Sequence, residues 1–570
     1  MNLLYFEKYY RKLFFLFLLG FIFIRAREIL LSPRFWAEEA TLYFKGIYES
    51  TWLEGLLFIP HHVAEYISLA VNFPLVIAVN VFPLYYTPYI TTYFSFAILL
   101  IPYLVILYGY SHLWKNPFQR ISTCLLLLLI PTAAEPEVLL NTINLQVHCG
   151  LISVCILFEN LHTCETQIKK KWGYRLLLIF CGLSGIYTTF LSLAFLVKAY
   201  YEKSIEAWRH FWIVCSTSFI QTALFFSIHQ QGIVGDEKLV YFDIIKAPLY
   251  IFNHHIMTPL LGFWVRLKLN TPDILQAGYF SRFTLLIMSL GVIIIVGLFF
   301  YKVIKNRTSP YLILLVISFL SVSLLTAIGS MGGAPGARYA VIPGFLFTLI
   351  LFYSIQWQRP FNYYSMTISV TLCVSLLIGS FYFFETRKYW VNREYLPIWS
   401  VEIAQWQKNA DYFLVSWPYP WVDDSWKFYL SKRSLVKSLS EIMANHPPIQ
   451  LHAEAGKTTR YSLAIDGLPS DFYWDFDVEV LGDQHAYQAQ VLFIGKGGEV
   501  YGRYDVRQAL QQQQQHHLRL NSIDRRAWPH MKILPHYQSV EKIVFELTAT
   551  TKTELIFDNF LIKTHKLSVF

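Results

Sequence analysis

The sequence predicts an α-helical polytopic membrane protein, with about 11 transmembrane helices and a C-terminal extracytoplasmic β-sandwich domain. Of the 570 residues, 55% are hydrophobic and only 15% are charged, whereas about 25% of residues are charged in ordinary soluble proteins. Apolar runs with almost no charge recur through the first two thirds of the chain, as at 13–24, 285–300 and 311–325. After about residue 448, apolar and polar residues alternate instead, which is the pattern of strands with one buried face.

The apolar runs approach the roughly 20 residues that cross the hydrocarbon layer, and their Tyr, Trp and Phe flanks suit the two membrane interfaces. We therefore expect helices near residues 12–25, 89–110, 121–133, 139–157, 174–186, 187–200, 210–228, 283–301, 310–328, 340–356 and 364–384. The connection 26–88 holds further apolar and amphipathic pieces, which we expect to lie in the interface or to form a re-entrant turn.

Basic residues fall on one side of these helices when the N-terminus is placed in the cytoplasm. The expected inner loops hold Arg120, Lys198 and Lys302 among others, whereas the short outer loops 134–138 and 329–337 contain no Lys or Arg. By the positive-inside rule, we expect a multi-pass protein of the inner (plasma) membrane, with a cytoplasmic N-terminus and a periplasmic C-terminal domain. The net charge of +9 has the same origin. We do not expect nucleic-acid binding, because the basic residues lie in short loops between apolar runs rather than on one face.

Two domains are predicted, a transmembrane domain at 1–397 and a soluble domain at 398–570. Within the second domain the β-sandwich starts at about 448, and four segments alternate with period two: FYWDFDVEVLG, AYQAQVLFIG, KIVFELTA and ELIFDNFLIK. The seven cysteines all precede this domain. It therefore contains no disulfide, and the chain has no Cys/His spacing typical of a metal site.

The first candidate for chemistry is RFWAEEA at 34–40, just after the first predicted helix. Glu38 and Glu39 are adjacent carboxylates at an apolar boundary, where a charge is costly unless it is solvated, paired or used. One carboxylate can accept a proton from a hydroxyl nucleophile, while the other positions that nucleophile or a cation. The alternative is a pair of interfacial glutamates in a solvated loop.

The second candidate is AAEPEVLLNTINLQVH at 133–148, which places Glu135 and Glu137 in the next outer loop. Three polar residues follow at helical spacings of three and four: Asn141, Asn144 and His148. On a predicted helix at 139–157 they would share one face. The stripe leads away from two acids, which favours a polar cavity; a hydrogen-bonded seam between helices is the alternative.

The third candidate is the glycine-rich segment GSMGGAPGARYA at 329–340, which ends with Arg338 and Tyr339 at the mouth of a predicted helix. Arginine presents a fixed fork of donors that suits a phosphate, and glycine allows close approach of the backbone. No GK[ST] follows, so the segment is not a nucleotide P-loop; the alternative is a flexible turn. Together the three segments place acids and an arginine on one membrane side, which suits an anionic lipid headgroup meeting an acceptor.

These segments resemble the motifs of the GT-C superfamily of polytopic membrane glycosyltransferases, particularly its bacterial members. RFWAEEA is similar to the acidic motif of their first loop, and GARYAVIP to the Arg-Tyr pair before a late helix. The residues that resemble their Glu-x-x-x-Asn-x-x-Asn-x-Gln stretch are Glu137, Asn141, Asn144 and Gln146. The resemblance covers most of residues 1–385. Two positions depart from the pattern: Glu39 stands where Asp is more usual, and Ala40 where Gly is.

The resemblance implies displacement at the anomeric carbon of a polyprenyl-phosphate sugar outside the membrane. Glu38 or Glu39 would deprotonate the acceptor hydroxyl, and Arg338 would stabilise the departing lipid phosphate, with inversion of the anomeric configuration. The other residues implied in substrate binding are Arg34, Glu135, Glu137, Asn141, Asn144, Gln146 and Tyr339. Some members use a divalent cation, which two carboxylates are able to hold; the sequence leaves metal dependence open.

Two further classes are compatible with the sequence. A transporter or flippase for a lipid-linked saccharide should show inverted repeats and polar sites at the midplane, and a non-catalytic membrane scaffold would only display the β-sandwich. The ionisable residues cluster at one face and no repeat is visible, which favours the enzyme. The expected partners are the lipid-linked donor, membrane lipid and an acceptor that is a glycan, a lipid or a protein.

Overall fold

The architecture is mostly helical, with strands in the C-terminal part of the chain. The computed structural model describes residues 3–60, 66–134, 136–161, 168–230, 243–262, 282–306, 309–330, 337–355, 363–391, 398–408, 412, 414–417, 427–428, 430, 449–453, 458–468, 472–481, 487–495, 500–505, 517–521, 540–549 and 553–566.

The chain divides into two compact units. The first comprises Met1–Arg34 and Leu56–Leu396, and the second comprises Phe35–Gly55 and Pro397–Phe570. The sequence assigns the whole of 1–397 to the transmembrane domain, because the chain there is largely apolar. The structure instead groups the short segment after the first helix with the C-terminal residues. Glu38 and Glu39 therefore belong to the second unit.

The helices follow one another with short connections where both neighbours are described. In chain order they are α1 (Leu3–Leu31), α2 (Lys45–Glu49), α3 (Trp52–Leu56), α4 (Leu69–Val81), α5 (Thr87–Tyr108), α6 (Pro117–Leu129), α7 (Leu145–Leu157), α8 (Ile168–Gly182), α9 (Tyr187–Phe190), α10 (Ser192–Glu202), α11 (Ile205–Gln230), α12 (Ala247–Ile251), α13 (Thr258–Leu261), α14 (Arg282–Asn306), α15 (Pro310–Ser330), α16 (Val341–Ser354), α17 (Tyr363–Val391) and α18 (Trp399–Lys408). Two π-helical segments, Glu39–Phe44 and Phe252–Met257, interrupt this series.

Four helices among the described residues are long and apolar enough to cross a membrane, which indicates a multi-pass membrane protein. They are Leu84–Tyr108, Ile205–Ile228, Pro310–Ser330 and Tyr363–Phe384. Shorter apolar helices accompany them at Leu69–Val81, Pro117–Leu129, Leu145–Leu157, Leu286–Tyr301 and Arg338–Ser354.

The connection 26–88 contains a helix of its own, α4, which the sequence treats only as interfacial or re-entrant material. Asn72 on α4 is fully buried. Its side-chain amide donates to the carbonyl of Leu56 at 3.0 Å and to that of Phe58 at 2.7 Å. These bonds satisfy backbone groups of the preceding chain, so a polar residue inside an apolar helix stabilises the turn before it.

Helix α16 packs closely against its neighbours at Gly344. A Cβ atom there would lie 2.9 Å from Cβ of Pro259 and 3.1 Å from the Thr132 hydroxyl oxygen. Small residues allow membrane helices to approach in this way. The contact brings α16 against α13 and against the turn after α6.

A buried ion network holds the ends of several helices in the first unit. Glu159, after α7, is fully buried. Its Oε2 accepts from the Tyr110 N–H at 2.9 Å and the Tyr174 hydroxyl at 2.7 Å, and Lys170 Nζ lies 3.4 Å away. Lys198 donates to the Glu159 carbonyl at 2.6 Å. Because a buried carboxylate is costly unless it is paired, these partners are needed to keep Glu159 inside.

A second buried acid continues the network on α11. Arg175 of α8 binds Glu206 through both ends of its fork, with Nε–Oε1 at 2.8 Å and Nη2–Oε2 at 2.6 Å. His210 Nε2 lies 3.5 Å from Glu206 Oε1. Bidentate pairs are the strongest of the charged hydrogen bonds. Basic residues expected in cytoplasmic loops thus join α8 to α11.

The strands of the second unit form one small ladder and two larger sheets. They are β1 (Leu414–Val415), β2 (Lys427–Phe428), β3 (Ile449–Ala453), β4 (Thr458–Leu468), β5 (Phe472–Leu481), β6 (Tyr487–Gly495), β7 (Val500–Asp505), β8 (His517–Asn521), β9 (Val540–Ala549) and β10 (Thr553–Lys566). β1 pairs with β2, and the four-stranded sheets have the orders β3-β10-β5-β8 and β4-β9-β6-β7. All the pairings are antiparallel. The four alternating segments of the sequence form β5, β6, β9 and β10, so the period-two pattern predicts these strands correctly.

Candidate functional site

The turn between α6 and α7 carries the second candidate segment, and it is not helical where the sequence predicts a helix. The helix expected at 139–157 begins only at Leu145. Two short 3-10 turns precede it, and Leu140 has a positive φ of 54°. That conformation costs an ordinary residue roughly 1–3 kcal/mol, and such strain concentrates at functional sites.

Asn141 and Asn144 stabilise this turn rather than form a stripe on one helix face. Both side-chain amides donate to the main-chain carbonyl of Glu137, each at 2.6 Å. The Asn144 N–H and its side-chain amide donate to the Asn141 side-chain oxygen at 3.0 and 3.1 Å. The stripe expected from the spacing is therefore wrong, because asparagine side chains compete for backbone groups before the helix starts. Both residues are buried, and they fix the backbone of Glu137.

The remaining predicted residues of this segment have separate surroundings. His148 on α7 contacts the Val138 carbonyl through Nε2 at 3.0 Å. Gln146 accepts a hydrogen bond from the Tyr66 hydroxyl at 3.2 Å. Glu135 lies outside the described residues. The segment thus directs Glu137 outward, whereas Gln146 is tied to the chain before α4.

The structure brings the second and third candidate segments together at Arg338. Nη1 of Arg338 lies 3.4 Å from Oε2 of Glu137, and the two side chains are 33% and 37% exposed. The guanidinium also lies over the ring of Tyr339, at 5.2 Å from its centroid. The start of α16 and the turn before α7 therefore form one surface that carries a positive and a negative group. The glycines at 331–336 lie outside the described residues.

Aromatic and histidine residues that the sequence does not connect with this pair lie in the same unit. Tyr250 stacks on His254 with centroids 4.2 Å apart, and its hydroxyl is 2.6 Å from that of Ser330. Tyr187 is buried and interacts electrostatically with Arg338, Tyr339, Tyr66 and Tyr250. These residues come from separate parts of the chain, and no spacing in the sequence marks them.

His255 stands next in the π-helical segment Phe252–Met257 and is fully buried. Neither of its ring nitrogens has a hydrogen-bond partner among the described residues. Burial lowers the pKa of His255 to about 3, so the imidazole is neutral at physiological pH. π-Helical turns are rare and frequently occur at functional sites.

A cavity of about 40 Å³ is lined by Arg25, Tyr103, Val138, His148 and Val341. Apart from Arg25, Tyr103 and His148, the residues that line this cavity are apolar. The cavity is therefore a mainly apolar space beside the turn before α7.

The first candidate segment follows α1 and belongs to the second unit, except for Arg34, which ends the first part of the first unit. Glu39 is 1% exposed, and its Oε2 accepts from the Trp36 N–H at 3.0 Å. Glu38 is half-buried. Ala37, just before the two acids, has a positive φ of 39°. The buried Glu39 thus stabilises the loop on which the more accessible Glu38 stands.

Within the described parts of the chain, no group of three or more His, Cys, Asp or Glu residues is arranged to hold a metal ion. Comparison of the chain with protein-family models, with curated proteins and with solved structures finds no match in any of the three.

Proposed function

We propose that this chain is an inverting glycosyltransferase of the GT-C type, which moves a sugar from a polyprenyl-phosphate donor to an acceptor on the extracytoplasmic membrane face. The observation that carries the proposal is the contact between Arg338 and Glu137, 3.4 Å apart. It joins two segments that are distant in the sequence and that both resemble motifs of this superfamily. The positive group stays one-third exposed, as binding of an anionic ligand requires.

The proposed enzyme has about 11 transmembrane helices, a cytoplasmic N-terminus and a periplasmic β-sandwich. The long and the shorter apolar helices support the first point. The grouping of Lys170, Arg175 and Lys198 around buried acids supports a common, cytoplasmic side for these residues. The two four-stranded antiparallel sheets support a sandwich.

On the donor side, Arg338 binds the phosphate of the lipid-linked sugar. A guanidinium offers donors in a rigid fork, and one carboxylate contact at 3.4 Å leaves other donors for a phosphate. Glu137 orients the guanidinium, and Asn141 and Asn144 hold the backbone of Glu137. When the bond from the anomeric carbon to the phosphate oxygen breaks, the negative charge grows on that oxygen, and Arg338 stabilises it.

The resemblance of RFWAEEA to the first-loop acidic motif supports Glu38 as the base that takes the proton from the acceptor hydroxyl, whose oxygen attacks the anomeric carbon as the polyprenyl phosphate leaves. The accessible position of Glu38 favours it as the base over the buried Glu39. Glu39 instead fixes the loop through the Trp36 N–H. Attack opposite the leaving group inverts the configuration at the anomeric carbon.

The proposal is tested by sugar transfer in liposomes from a panel of radiolabelled polyprenyl-phosphate sugars. We expect Glu38→Gln to lower the transfer rate about 10²–10⁴-fold, the usual contribution of a general base. Glu39→Gln should retain more activity, because the amide oxygen can still accept from the Trp36 N–H. Glu54→Gln is the matched control: Glu54 is exposed and accepts from Thr51, at 2.9 Å from its N–H.

Three results would replace the proposal. Full transfer activity in Glu38→Gln and Glu39→Gln alike would move the chemistry to other residues. Movement of a lipid-linked saccharide across the bilayer, with no sugar transfer from any donor, would identify a transporter or flippase instead. A protein whose cellular function survives both substitutions and performs neither reaction would be a scaffold.

A further inference from the structure

We propose that Trp417 of the C-terminal region is a positioning residue for Glu38 and Glu39. In this view the C-terminal region is part of the catalytic machinery rather than an appended module. The inference rests on the proposed function for its catalytic meaning, and on contacts within the second unit for its geometry.

The backbone of Trp417 pairs with the loop that carries the two acids. Its N–H donates to the Phe35 carbonyl at 3.2 Å, and its own carbonyl accepts from the Ala37 N–H. Trp36 and Trp417 are thereby joined as an isolated parallel bridge. The main chain immediately before Glu38 is thus held from both sides of Trp36.

Ring packing strengthens this backbone contact. The Trp36 and Trp417 rings lie 4.5 Å apart and are 7% and 2% exposed. Phe35 packs edge-on against Trp399 at 4.8 Å, and Trp399 also meets Phe44 at 5.5 Å. Such aromatic pairs stabilise a fold by more than the free energy expected from their buried area alone. The loop is therefore covered along its length by residues from beyond position 397.

The positive φ of Ala37 shows why the loop needs this support. A left-handed conformation at an alanine persists only where the surroundings enforce it. The two bonds to Trp417 lie on either side of Trp36, and Glu39 closes the turn through the Trp36 N–H. Without them, Ala37 would relax and the direction of Glu38 would change.

Glu402 of α18 fixes Trp417 in turn. Its Oε2 accepts from the Val415 N–H at 2.9 Å and from the Tyr412 hydroxyl at 3.1 Å. Glu402 is 7% exposed, so the bond to Val415 is protected from water. The short strand β1 that leads to Trp417 is thereby held by its own helix.

The experiment compares Trp417→Ala and Trp417→Phe in the full-length protein, with Trp406→Phe as the control. Trp406 belongs to the same unit and donates to the Leu430 carbonyl at 2.6 Å. We expect Trp417→Ala to lower kcat about 10–100-fold with an unchanged donor KM, because misplacement of a catalytic group acts on the chemical step. Trp417→Phe should retain most of the rate. Trp406→Phe should keep both constants.

A second readout is independent of activity. Lys45 follows the loop and is 1% exposed, so trypsin should cut after it only when the loop opens. We expect cleavage in Trp417→Ala, and protection in the wild type and in Trp406→Phe. If Trp417→Ala keeps its kcat, or keeps Lys45 protected, the inference is overturned. If the wild type transfers no sugar, the proposed function fails. Protection of Lys45 in Trp417→Ala would then still overturn the inference that Trp417 holds the loop.

Discussion

Substitution of Arg338 separates a functional role from a structural one, because the two roles predict effects of different size. The side chains of Arg338 and Glu137 are about one-third exposed and 3.4 Å apart. An ion pair with this exposure contributes only about 0–1 kcal/mol to stability. Arg338→Gln should therefore shift the thermal midpoint in detergent by no more than about 2–4 °C.

The expected effect of Arg338→Gln on the free energy of the transition state is much larger than its effect on stability. Removing one preorganised donor for a developing negative charge typically lowers kcat about 10²–10³-fold, or roughly 2.7–4 kcal/mol. We expect Arg338→Gln to reduce kcat by this factor in the liposome transfer assay. Arg338→Lys should recover part of it, because lysine keeps the charge but lacks the fork.

The matched control is Arg460→Gln in β4. Arg460 Nε lies 2.9 Å from Glu546 Oε2 in an exposed cross-strand pair, so the same chemical change is made where no ligand is proposed. Its transfer rate should equal that of the wild type. If Arg338→Gln transferred sugar at the wild-type rate, or lost activity only in proportion to lost folded protein, the role assigned to Arg338 would be refuted.

Two other predictions concern stability. Gly109→Ala places a Cβ against Glu159 Oε1 and the Val105 carbonyl. We expect the free energy of unfolding to fall by about 1–3 kcal/mol, which a lower thermal midpoint would show. The control is Gly173→Ala, which should be neutral or stabilising because the space around Gly173 is open. For His255, the folded-state pKa of about 3 lies below the usual value of roughly 6.5. Stability should therefore be full above about pH 7 and fall by about 1.4 kcal/mol per pH unit as the pH drops below roughly 6.5. His255→Gln should remove that slope in thermal melts between pH 8 and 5; an equal slope in both proteins would contradict the assignment.

The helices were largely predictable because apolar runs of membrane length leave few alternatives. The run expected at 310–328 forms α15 over Pro310–Ser330, and that expected at 364–384 forms α17 over Tyr363–Val391. The helix expected at 139–157 was extended too far, because side-chain hydrogen bonds of asparagine outweigh periodicity before Leu145. Periodicity records which residues avoid water, and it does not record which polar group satisfies which backbone carbonyl.

The sequence predicts individual residues of the candidate site but not the contacts between them. Arg338 and Glu137 could each be selected by residue type and by position at a helix end, but their contact joins parts of the chain that are far apart in the sequence. The bridge from Trp36 to Trp417 has no local signal, since it joins the loop after α1 to a segment far along the chain. Such long-range pairings depend on tertiary packing rather than on local propensity.

The second unit is discontinuous in the sequence, so its two parts are synthesised at different times. Phe35–Gly55 is synthesised early, whereas its partners begin at Pro397, about 340 residues later. At roughly 5–20 residues per second this interval lasts about 20–70 s. During this period the growing chain holds the loop with Glu38 and Glu39 before Trp399 and Trp417 exist. A ribosome that stopped before Trp417 would therefore release a protein whose apolar helices are complete and whose acidic loop lacks its two bonds to Trp417.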